Sequence, residues 1–549
     1  MKAFEDYLHF GRRKVMNAGY SKREVSVSEF IPYEYHFDKE TIITKKGEIM
    51  QTIRLEGWSF ETADDVDVDM KKAVRNSLLK SLSNGTYAVW FHTVRRKKTT
   101  YPKGQFANEF AQKLNDRWRQ KHTSHESFAN ELYITVVRRE DKMGLNKISH
   151  YLNVLSNTVD ESQKRESVRD GHKELKEVIH RLLASLRDYN PRLLTCVKTQ
   201  HGVLSQPLQF LGMLINGGQR QQMLVPTMNI SHYLSTARLY FGSRAIEMRG
   251  LTKTRYAGII SIREYAPATA AGMLDAYLQL PFEFIISQSF SFVNRTIAIG
   301  KMRTQQNRMA AAEDAAVSQV HEINAALDMA MSGNVAFGDH HCTVLVMQDS
   351  LAALEESLAL AISEMVNIGI EPIREKIILE QCYWAQLPAN FDYIGRPSKI
   401  NTMNLAGFVS LHNYPLGKIK GNHWGDAVTV FDTTSGTPYF FNFHTRDVGH
   451  TTIIGPTGAG KTVLMNFLCA QAQKFNCRLF MFDKDRGAEI FVRAIGGAYS
   501  VIEPAERCGF NPLHLPDTNE NRNFISEWLS ALVKPEDRSL EPEEVEQIQ

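Results

Sequence analysis

The sequence has few cysteines and no closely spaced cysteine pair. Six cysteines occur among 549 residues, and none forms a C-x-x-C motif. This spacing offers neither a disulfide framework nor a zinc-finger pattern, and it indicates a reducing compartment. The segment DHHC, Asp339 to Cys342, contains metal-binding residue types. Because consecutive side chains of a strand point to opposite faces, His-His-Cys cannot all converge on one ion, so the segment favours a strand over a metal site.

Long apolar runs are also absent. No uninterrupted apolar stretch approaches the roughly 20 residues that a membrane-spanning helix needs. The first residues, MKAFEDYLHFGRRK, carry acidic residues early and lack the apolar centre of a signal peptide. We therefore expect a chain that is neither exported through a signal peptide nor integral to a membrane, whereas peripheral attachment stays open.

The sequence has little net charge. Lys and Arg number 64 against 61 for Asp and Glu, so no global basic field indicates a nucleic-acid partner. One local run, Arg95-Arg96-Lys97-Lys98, has the chemistry to contact phosphate or anionic lipid headgroups. Such runs are more often solvated at a hairpin tip or a sheet edge, which is what we expect here.

The length predicts several domains, because a single hydrophobic core rarely organises so many residues. Hairpins and crossing helices up to residue 155 predict an α+β domain, and residues 156–423 form a predicted middle α+β domain with long helices. A third predicted domain, residues 424–549, contains a glycine-rich motif and begins near Trp424. The overall class is therefore α/β and α+β, in several domains.

Hydrophobic periodicity predicts the main elements. Alternation predicts strands at TYAVWFHTVRR and ELYITVVRR, and helical spacing predicts helices at 73–83, 106–122, 160–189, 207–219 and 302–331. The apolar stripe of the 160–189 helix favours packing within its own domain, with a partner-binding helix as the alternative. The segments CTVLVMQ, LAALEESLALAISEMVNIGI and REKIILEQCYWAQLP predict strand, helix and strand, which is half of a ferredoxin-like sandwich.

A phosphate-binding loop is the most specific motif in the chain. The segment GPTGAGKT, Gly455 to Thr462, matches G-x-x-x-x-G-K-[ST] at every fixed position. VGHTTIIG before it predicts a buried strand, KTVLMNFLCAQAQKF after it predicts a helix, and CRLFMFD predicts a second strand. Strand, glycine loop, helix and strand is the context that this motif requires.

The residue types in this loop suit a nucleotide triphosphate. Glycines allow unusual dihedrals, so that backbone N–H groups point at a phosphate beside a helix N-terminus. Lys461 is suited to bridge the β- and γ-phosphates of ATP, and the Thr462 hydroxyl is suited to ligate Mg²⁺. The candidate nucleotide contacts are Gly455, Pro456, Thr457, Gly458, Ala459, Gly460, Lys461, Thr462 and Val463.

Hydrolysis needs more than this loop, in particular a second acidic motif after an apolar strand. Asp483 follows such a run, but in RecA-like ATPases the metal-side acid lies on a later strand, so we favour a role for FDKDRG in shaping the strand end. Too few residues follow Thr462 to complete a RecA-like sheet. We therefore expect an ATPase domain cut partway, with weak nucleotide binding and little turnover by this chain.

The chain as a whole resembles the large cytoplasmic ATPases of type IV secretion systems, the CagE/TrbE/VirB class. The resemblance rests on segments in matching order, among them KKGEIMQTIRLEGWSFET, FLGMLINGG, FGDHHCTVLV, AQLPANFDYIGRPSKINTMNLAGFVSLHNYPLG, PYFFNFHTRDVGHTTIIGPTGAGKT, FMFDKDRGAEI and GFNPLHLPDTNENRNFISEWL. It implies an N-terminal docking half and a RecA-like motor with a helical insertion beginning near Glu520. It also implies hexamers at the cytoplasmic face of the bacterial inner membrane. The implied partners are inner-membrane components of the secretion complex, other secretion ATPases, and a DNA or protein substrate. The implied activity is ATP hydrolysis that powers pilus assembly and the export of DNA or protein.

Two other functions remain open. A double-stranded-DNA translocase of the chromosome-segregation type shares the motor chemistry, but the sequence has no concentrated basic stripe. A nucleotide-gated scaffold, in which ATP occupancy orders the secretion complex and turnover matters little, belongs to a different class.

Overall fold

The computed structural model describes residues 25–139, 161–311, 317–503, 509 and 511–548. The chain divides into two compact units, one of Met1–Lys103 and Trp118–His450 and the other of Gly104–Arg117 and Thr451–Gln549. The N-terminal segment, the predicted boundary at residue 155 and Cys508 lie outside the described residues. The two units and the three predicted domains are different divisions of the chain, and the three-domain division stays a prediction.

Antiparallel strands dominate the first unit. The strands are β1 Tyr33–His36, β2 Ile42–Thr44, β3 Ile49–Leu55, β4 Tyr87–Lys97, β5 Phe128–Arg138, β6 Arg192–Leu193, β7 Cys196–Thr199, β8 Gly202–Ser205, β9 Arg238–Phe241, β10 Ile246–Arg249, β11 Thr254–Glu264, β12 Glu283–Val293, β13 Phe337–Gln348, β14 Glu371–Arg374, β15 Ser398–Asn401, β16 Thr429–Asp432 and β17 Pro438–Phe441. One sheet contains 13 of them, in the order β1-β2-β3-β5-β4-β12-β13-β11-β10-β9, with β6 on β3, β14 on β11 and β15 on β13. The pairs β7–β8 and β16–β17 form separate hairpins.

Helices cover both faces of this sheet and make up the regular structure of the second unit. They are α1 Asp65–Lys80, α2 Glu109–Ser124, α3 Glu161–Ser185, α4 Gln206–Ile215, α5 Ile230–Tyr233, α6 Arg295–Ala311, α7 Val317–Met331, α8 Leu351–Asn367, α9 Leu379–Ala385, α10 Thr402–Phe408, α11 Lys461–Ala472, α12 Glu489–Ala494, α13 Asn519–Val533 and α14 Pro542–Ile548. Of the helices described, none combines the length and apolar character needed to cross a bilayer.

The large sheet consists of two halves with the same strand order. The first half runs β6-β3-β5-β4 and the second runs β14-β11-β13-β12, so each half places its strands in the order fourth, first, third, second. A long helix, α3 or α8, connects the third strand to the fourth in each half. In each half, the outer edge of the first strand pairs with the fourth strand along one part of its length. Along another part it pairs with a hairpin, which is β1–β2 in the first half and β9–β10 in the second. The architecture of the first unit is therefore internally duplicated.

The two halves join where β4 pairs with β12, antiparallel from Ala88 with Ser291 to Arg95 with Phe284. Both strands lie inside the sheet, so successive residues are buried against helices on opposite faces. Val89 and Phe91 belong to one core, which α1, α3, α8 and α10 cover, and Ala88 and Trp90 belong to the other, under α4, α5 and α9. This two-sided burial explains why β4 reads as a nearly continuous apolar run.

The helix predicted at 160–189 packs within its own unit, as expected. Leu175, Ile179 and Leu182 are at most 3% exposed and belong to the core that contains β3 and β5. The strands predicted at TYAVWFHTVRR and ELYITVVRR are confirmed as β4 and β5. Local periodicity was sufficient for these elements because the patterned residues face the core of the same unit.

Two predicted elements of the first unit were wrong in type or in the number of helices. The single helix predicted at 302–331 is two helices, α6 and α7, and a 2.6 Å hydrogen bond from Gln306 to Asn324 joins them side by side. The strand predicted at REKIILEQCYWAQLP ends as β14 at Arg374, and α9 follows. Leu379, Cys382 and Tyr383 are buried at helical spacing against the sheet, so tertiary packing overrides the β propensity of the aromatic residues.

The strands predicted on either side of the glycine loop are not formed. Val448–Gly455 and Cys477–Asp483 have no strand assignment, and the described part of residues 451–549 contains no strand. Phe480 is 84% exposed. A strand inside a parallel sheet needs neighbouring strands for its N–H and C=O groups, and no strand pairs with either segment among the described residues. Val448 forms only an isolated bridge with Thr445. The RecA-like sheet therefore stays a prediction, whereas the helix after the loop is confirmed as α11.

The basic run Arg95–Lys98 does not lie at a hairpin tip or a sheet edge, so that prediction was wrong. It ends β4, which pairs on one side with β5 and on the other with β12. Arg95 is fully buried, and its guanidinium donates to the carbonyls of Leu278, Leu280 and Ser435 and to Asn130 Oδ1 at 2.6–3.1 Å. Burial lowers its pKa to about 10, which still leaves it charged at neutral pH.

Replacing Arg95 with Met is expected to destabilise the first unit by about 3 kcal/mol, because four buried acceptors lose their donor. The measurement is the urea midpoint of unfolding. The matched control is Lys97→Met on the same strand, where loss of the exposed ion pair with Glu126 should cost less than about 1 kcal/mol. Equal midpoints for the two variants would contradict a structural role for Arg95.

Gly338 on β13 leaves no room for a side chain. A Cβ placed there would lie 2.6 Å from the carbonyl oxygen of Ser291 and would also overlap the ring of Phe290. Gly338→Ala should therefore destabilise the first unit by about 1–3 kcal/mol. The control Gly300→Ala, at an exposed helix position with no heavy atom within 4 Å, should stabilise it by up to about 1 kcal/mol. Thermal unfolding of both variants checks the two signs.

Candidate nucleotide-binding site

The glycine loop leads directly into α11. Gly460 is the N-cap of this helix with φ +88°, and Gly458 has φ +81°. Residues other than glycine rarely adopt this left-handed backbone conformation, so both positions favour glycine. No heavy atom lies within 4 Å of an ideal Cβ at either position, which leaves open space over the loop.

The first turn of α11 supplies hydrogen-bond donors at the same place. The N–H of Leu464 donates to Gly460 O at 3.0 Å, the bond that begins the helical ladder. The N–H groups of Lys461, Thr462 and Val463 precede that bond, and N–H groups in this position have no acceptor within their own helix. Together with the positive end of the helix dipole, they form a site suited to an anion.

The Lys461 ammonium folds back over the loop. Its Nζ donates to the carbonyl oxygens of Gly455 at 2.7 Å and Pro456 at 2.9 Å. The loop is also tied internally, since Ala459 N–H donates to Pro456 O at 3.2 Å. Lys461 therefore lies at the loop mouth, held by neutral carbonyls that are weaker partners for an ammonium than phosphate oxygens are.

The segment after Asp483 packs against the first turns of α11. A Cβ on Gly487 would lie 2.9 Å from Thr462 Cγ2, and Asn466 Nδ2 donates to Gly487 O at 3.3 Å. This contact brings residues 483–488 beside the threonine that is the candidate Mg²⁺ ligand. The motif alone did not identify Gly487 or Asn466, although Asn466 lies one helical turn from Thr462.

Asp483 holds this segment in a tight turn. Its Oδ2 accepts hydrogen bonds from Ala488 N–H at 2.8 Å and Tyr499 O–H at 3.2 Å. The hydrogen bond from Ala488 is the main reason that its pKa is lowered. Because Oδ2 is already used within the turn, this geometry favours the turn-shaping role over direct metal ligation.

The structure brings together Gly455, Pro456 and Lys461 by hydrogen bonds and places Thr462 in the first turn of α11. Thr457 and Ala459 are exposed along the loop, and the Val463 side chain is 71% exposed, so Val463 offers only its main chain. Among the described residues, no group of three or more His, Cys, Asp or Glu side chains converges as for a metal ion.

The DHHC segment lies on β13, and its side chains alternate as a strand requires. His340 contacts Tyr265 Oη at 2.8 Å and Gln288 Oε1 at 3.1 Å on one face, and burial lowers its pKa to about 3. Cys342 is buried in the core on that same face. These side chains belong to the packing of the sheet.

Two family models match the part of the chain before the glycine loop. Residues 192–396 match the family described as "CagE, TrbE, VirB family, component of type IV transporter system". Residues 40–145 match "Type IV secretion system ATPase VirB4/TrbE, N-terminal domain". These matches cover both halves of the duplicated sheet.

Relatives match along nearly the whole chain. The "Type IV secretion system protein virB4" of Bartonella henselae is 35% identical over 529 residues, which are 96% of this chain and 67% of that protein. The virB4 protein of Brucella suis is 32% identical, covering 93% of this chain and 64% of the relative. The protein PtlC of Bordetella pertussis is 31% identical, covering 95% and 65%. The chain thus spans about two thirds of the length of these relatives, and it belongs to the CagE/TrbE/VirB family of type IV secretion ATPases, in the VirB4/TrbE group.

Proposed function

We propose that this chain binds ATP and Mg²⁺ at Gly455–Val463 and supplies the nucleotide-binding part of an ATPase that energises a type IV secretion system. The observation that carries the proposal is the loop itself, where left-handed Gly458 and Gly460 lead into α11 and the Lys461 ammonium covers the loop mouth. The names of the relatives, all type IV secretion proteins, support the cellular role.

Each residue has a separate task in this proposal. The main-chain N–H groups of Thr457, Gly458 and Gly460 to Val463 hold the phosphates, since the glycines keep this backbone open. Pro456 and Ala459 shape the loop through their main chain, since Ala459 N–H donates to Pro456 O. Lys461 exchanges its two carbonyl partners for phosphate oxygens and so neutralises developing charge. Thr462 holds the metal through Oγ1, while Gly487 and Asn466 fix the turn beside it.

We expect the isolated chain to bind nucleotide weakly and to turn it over slowly. The loop is exposed, and the segments on either side of it are not held in a sheet among the described residues. Ordering them costs conformational entropy, which lowers the net binding free energy. Asp483 is committed to its turn, so it is a poor substitute for a catalytic acid.

The larger assembly follows as part of the same proposal. We assign the complete protein to hexamers on the cytoplasmic face of the inner membrane, where it meets membrane components of the complex and other secretion ATPases. Its action would drive pilus assembly and export of DNA or protein. We also assign each half of the duplicated sheet to the ferredoxin-like type, supported by its fourth-first-third-second strand order and its crossing helices. The first unit would then be the docking half.

Lys461→Ala is expected to weaken binding of a fluorescent ATP analogue by about tenfold to a hundredfold, the equivalent of one charge-assisted hydrogen bond. The matched control is Lys534→Ala, which removes the same charge from an exposed position at the end of α13 and should change the affinity less than about twofold. Fluorescence titration with Mg²⁺ measures both. Equal affinities for the two variants would refute the site.

In cells, Lys461→Ala in the gene's complete product is expected to abolish substrate export, whereas Lys534→Ala should support it. Export and co-purification with the membrane complex are measured in a strain lacking the native gene. Export lost with assembly intact supports the motor, and loss of both supports the nucleotide-gated scaffold. ATP turnover stimulated by duplex DNA, with salt-dependent binding, would favour the translocase.

A further inference from the structure

We propose that Arg54, Arg96 and Arg220, with Lys98, form a second anion-binding site on the first unit, and that this site takes a phosphate group. It is separate from the glycine loop and does not depend on the proposed ATPase function. The phosphate group belongs either to a soluble phosphate compound or to the headgroup of an anionic phospholipid, since both present negatively charged phosphate oxygens.

Three guanidinium groups share a single carboxylate oxygen at this place. Glu131 Oε1 lies 2.7 Å from Arg96 Nη2, 3.6 Å from Arg54 Nη2 and 3.7 Å from Arg220 Nη1. The other oxygen, Oε2, accepts a hydrogen bond from Tyr133 O–H at 2.6 Å. Only Arg96 lies within ordinary hydrogen-bond distance of Oε1, so Arg54 and Arg220 are held near the carboxylate without a good bond to it.

The fold forces these cations together. Glu131 lies on β5, between Arg54 on β3 and Arg96 on β4, and the register pairs Arg54 with Tyr133 and Val94 with Glu131. Arg220 comes from the segment after α4. That segment turns through two left-handed glycines before it reaches the same end of the sheet. Three separate parts of the chain therefore converge on one carboxylate.

Among the residues that the structure describes, the charges of this cluster do not balance. Burial alone would raise the pKa of Glu131, but Arg54 and Arg96 outweigh burial and hold that pKa at about 2, so one negative charge is present at any physiological pH. Lys98 adds a fourth cation, and its pKa is lowered first by burial and also by the repulsion of the three arginines. Glu56, another acid near Arg54, is engaged by Arg192 at 3.1 Å.

The cations are also accessible and incompletely bonded. The side chains of Arg54, Arg96 and Arg220 are 37%, 21% and 41% exposed, whereas that of Glu131 is 7% exposed. The buried Arg96 Nε has no hydrogen-bond partner among the described residues. An incoming ligand would therefore meet guanidinium groups before it met the carboxylate.

Other surface arginines in this unit are arranged differently. Arg263 pairs with Glu371 at 2.9 Å and Arg249 pairs with Glu247 at 2.7 Å, one acid to each cation. Guanidinium groups bind phosphate through paired N–H bonds, and a phosphate offers several acceptor oxygens where Glu131 offers one. A phosphate group would thus supply the acceptors that three converging guanidinium groups lack.

The alternation of β4 explains how the basic run contributes. Arg96 and Lys98 point to the face that carries Glu131, whereas Arg95 points to the opposite core and Lys97 pairs with Glu126. Two of the four cations of the run therefore belong to the cluster. The hypothesis that this run contacts phosphate or anionic lipid headgroups therefore applies to Arg96 and Lys98.

The test compares the double variant Arg54→Gln/Arg220→Gln with the matched double variant Arg263→Gln/Arg249→Gln, which removes the same charge from ordinary ion pairs. The first probe is inorganic phosphate, whose binding is measured by calorimetric titration, with chloride at equal ionic strength as the reference anion. The second probe is a vesicle that contains phosphatidylglycerol, whose binding is measured by flotation, with pure phosphatidylcholine vesicles as the reference. The cluster variant should bind one or both anionic probes about tenfold more weakly than the control.

Glu131→Gln provides a second variant, for which the expected change in anion affinity has the opposite sign. It removes the competing negative charge, while its amide oxygen can still accept from Arg96 and its NH2 group can donate to the Tyr133 hydroxyl oxygen, so it should strengthen anion binding several-fold. Loss of phosphate binding in the cluster variant assigns a soluble ligand, and loss confined to phosphatidylglycerol vesicles assigns a lipid headgroup. If the cluster and control variants bind both probes equally, or if Glu131→Gln leaves the affinity of the folded protein unchanged, the site does not exist.

Discussion

Backbone hydrogen bonding between β4 and β12 is the constraint on which the first unit depends. These strands end their respective halves, and their antiparallel pairing turns two four-stranded arrangements into one sheet without an exposed central edge. Because both strands are then covered on two faces, every residue along them must suit a core or find a buried partner. This explains why Arg95, at the end of β4, is surrounded by carbonyl oxygens from distant parts of the chain.

What could be predicted from the sequence depended on how local the determining contacts are. The stripe Leu175, Ile179 and Leu182 identified α3 because a helix presents those residues to one core. α9 was missed because its helical state depends on burial of Cys382 and Tyr383 against a sheet that is distant in sequence. The duplication was not predicted either, since it lies in the strand order, which depends on pairing between segments that are distant in sequence.

The same distinction applies to the nucleotide site. Gly458 and Gly460 specify left-handed backbone through their own chemistry, so the loop and the start of α11 follow from a few adjacent residues. The strands expected around the loop depend on partner strands outside it. These strands are not formed, and Phe480, which a strand would bury, is exposed. The supporting contact between Thr462 and Gly487 likewise joins residues that no motif associates. Local chemistry was predictable, and the arrangement around it was not.

The basic run shows why charge in a sequence does not by itself indicate a partner. Four adjacent cations have three different environments, because a strand alternates its side chains and β4 lies inside the sheet. Arg95 is a buried structural cation, Lys97 forms an exposed ion pair, and Arg96 with Lys98 joins residues from β3 and from the segment after α4 around Glu131. Composition counts these residues equally, whereas register decides which of them can meet a ligand. The excess charge that distinguishes the Glu131 cluster is therefore a property of the fold, and only a structure could reveal it.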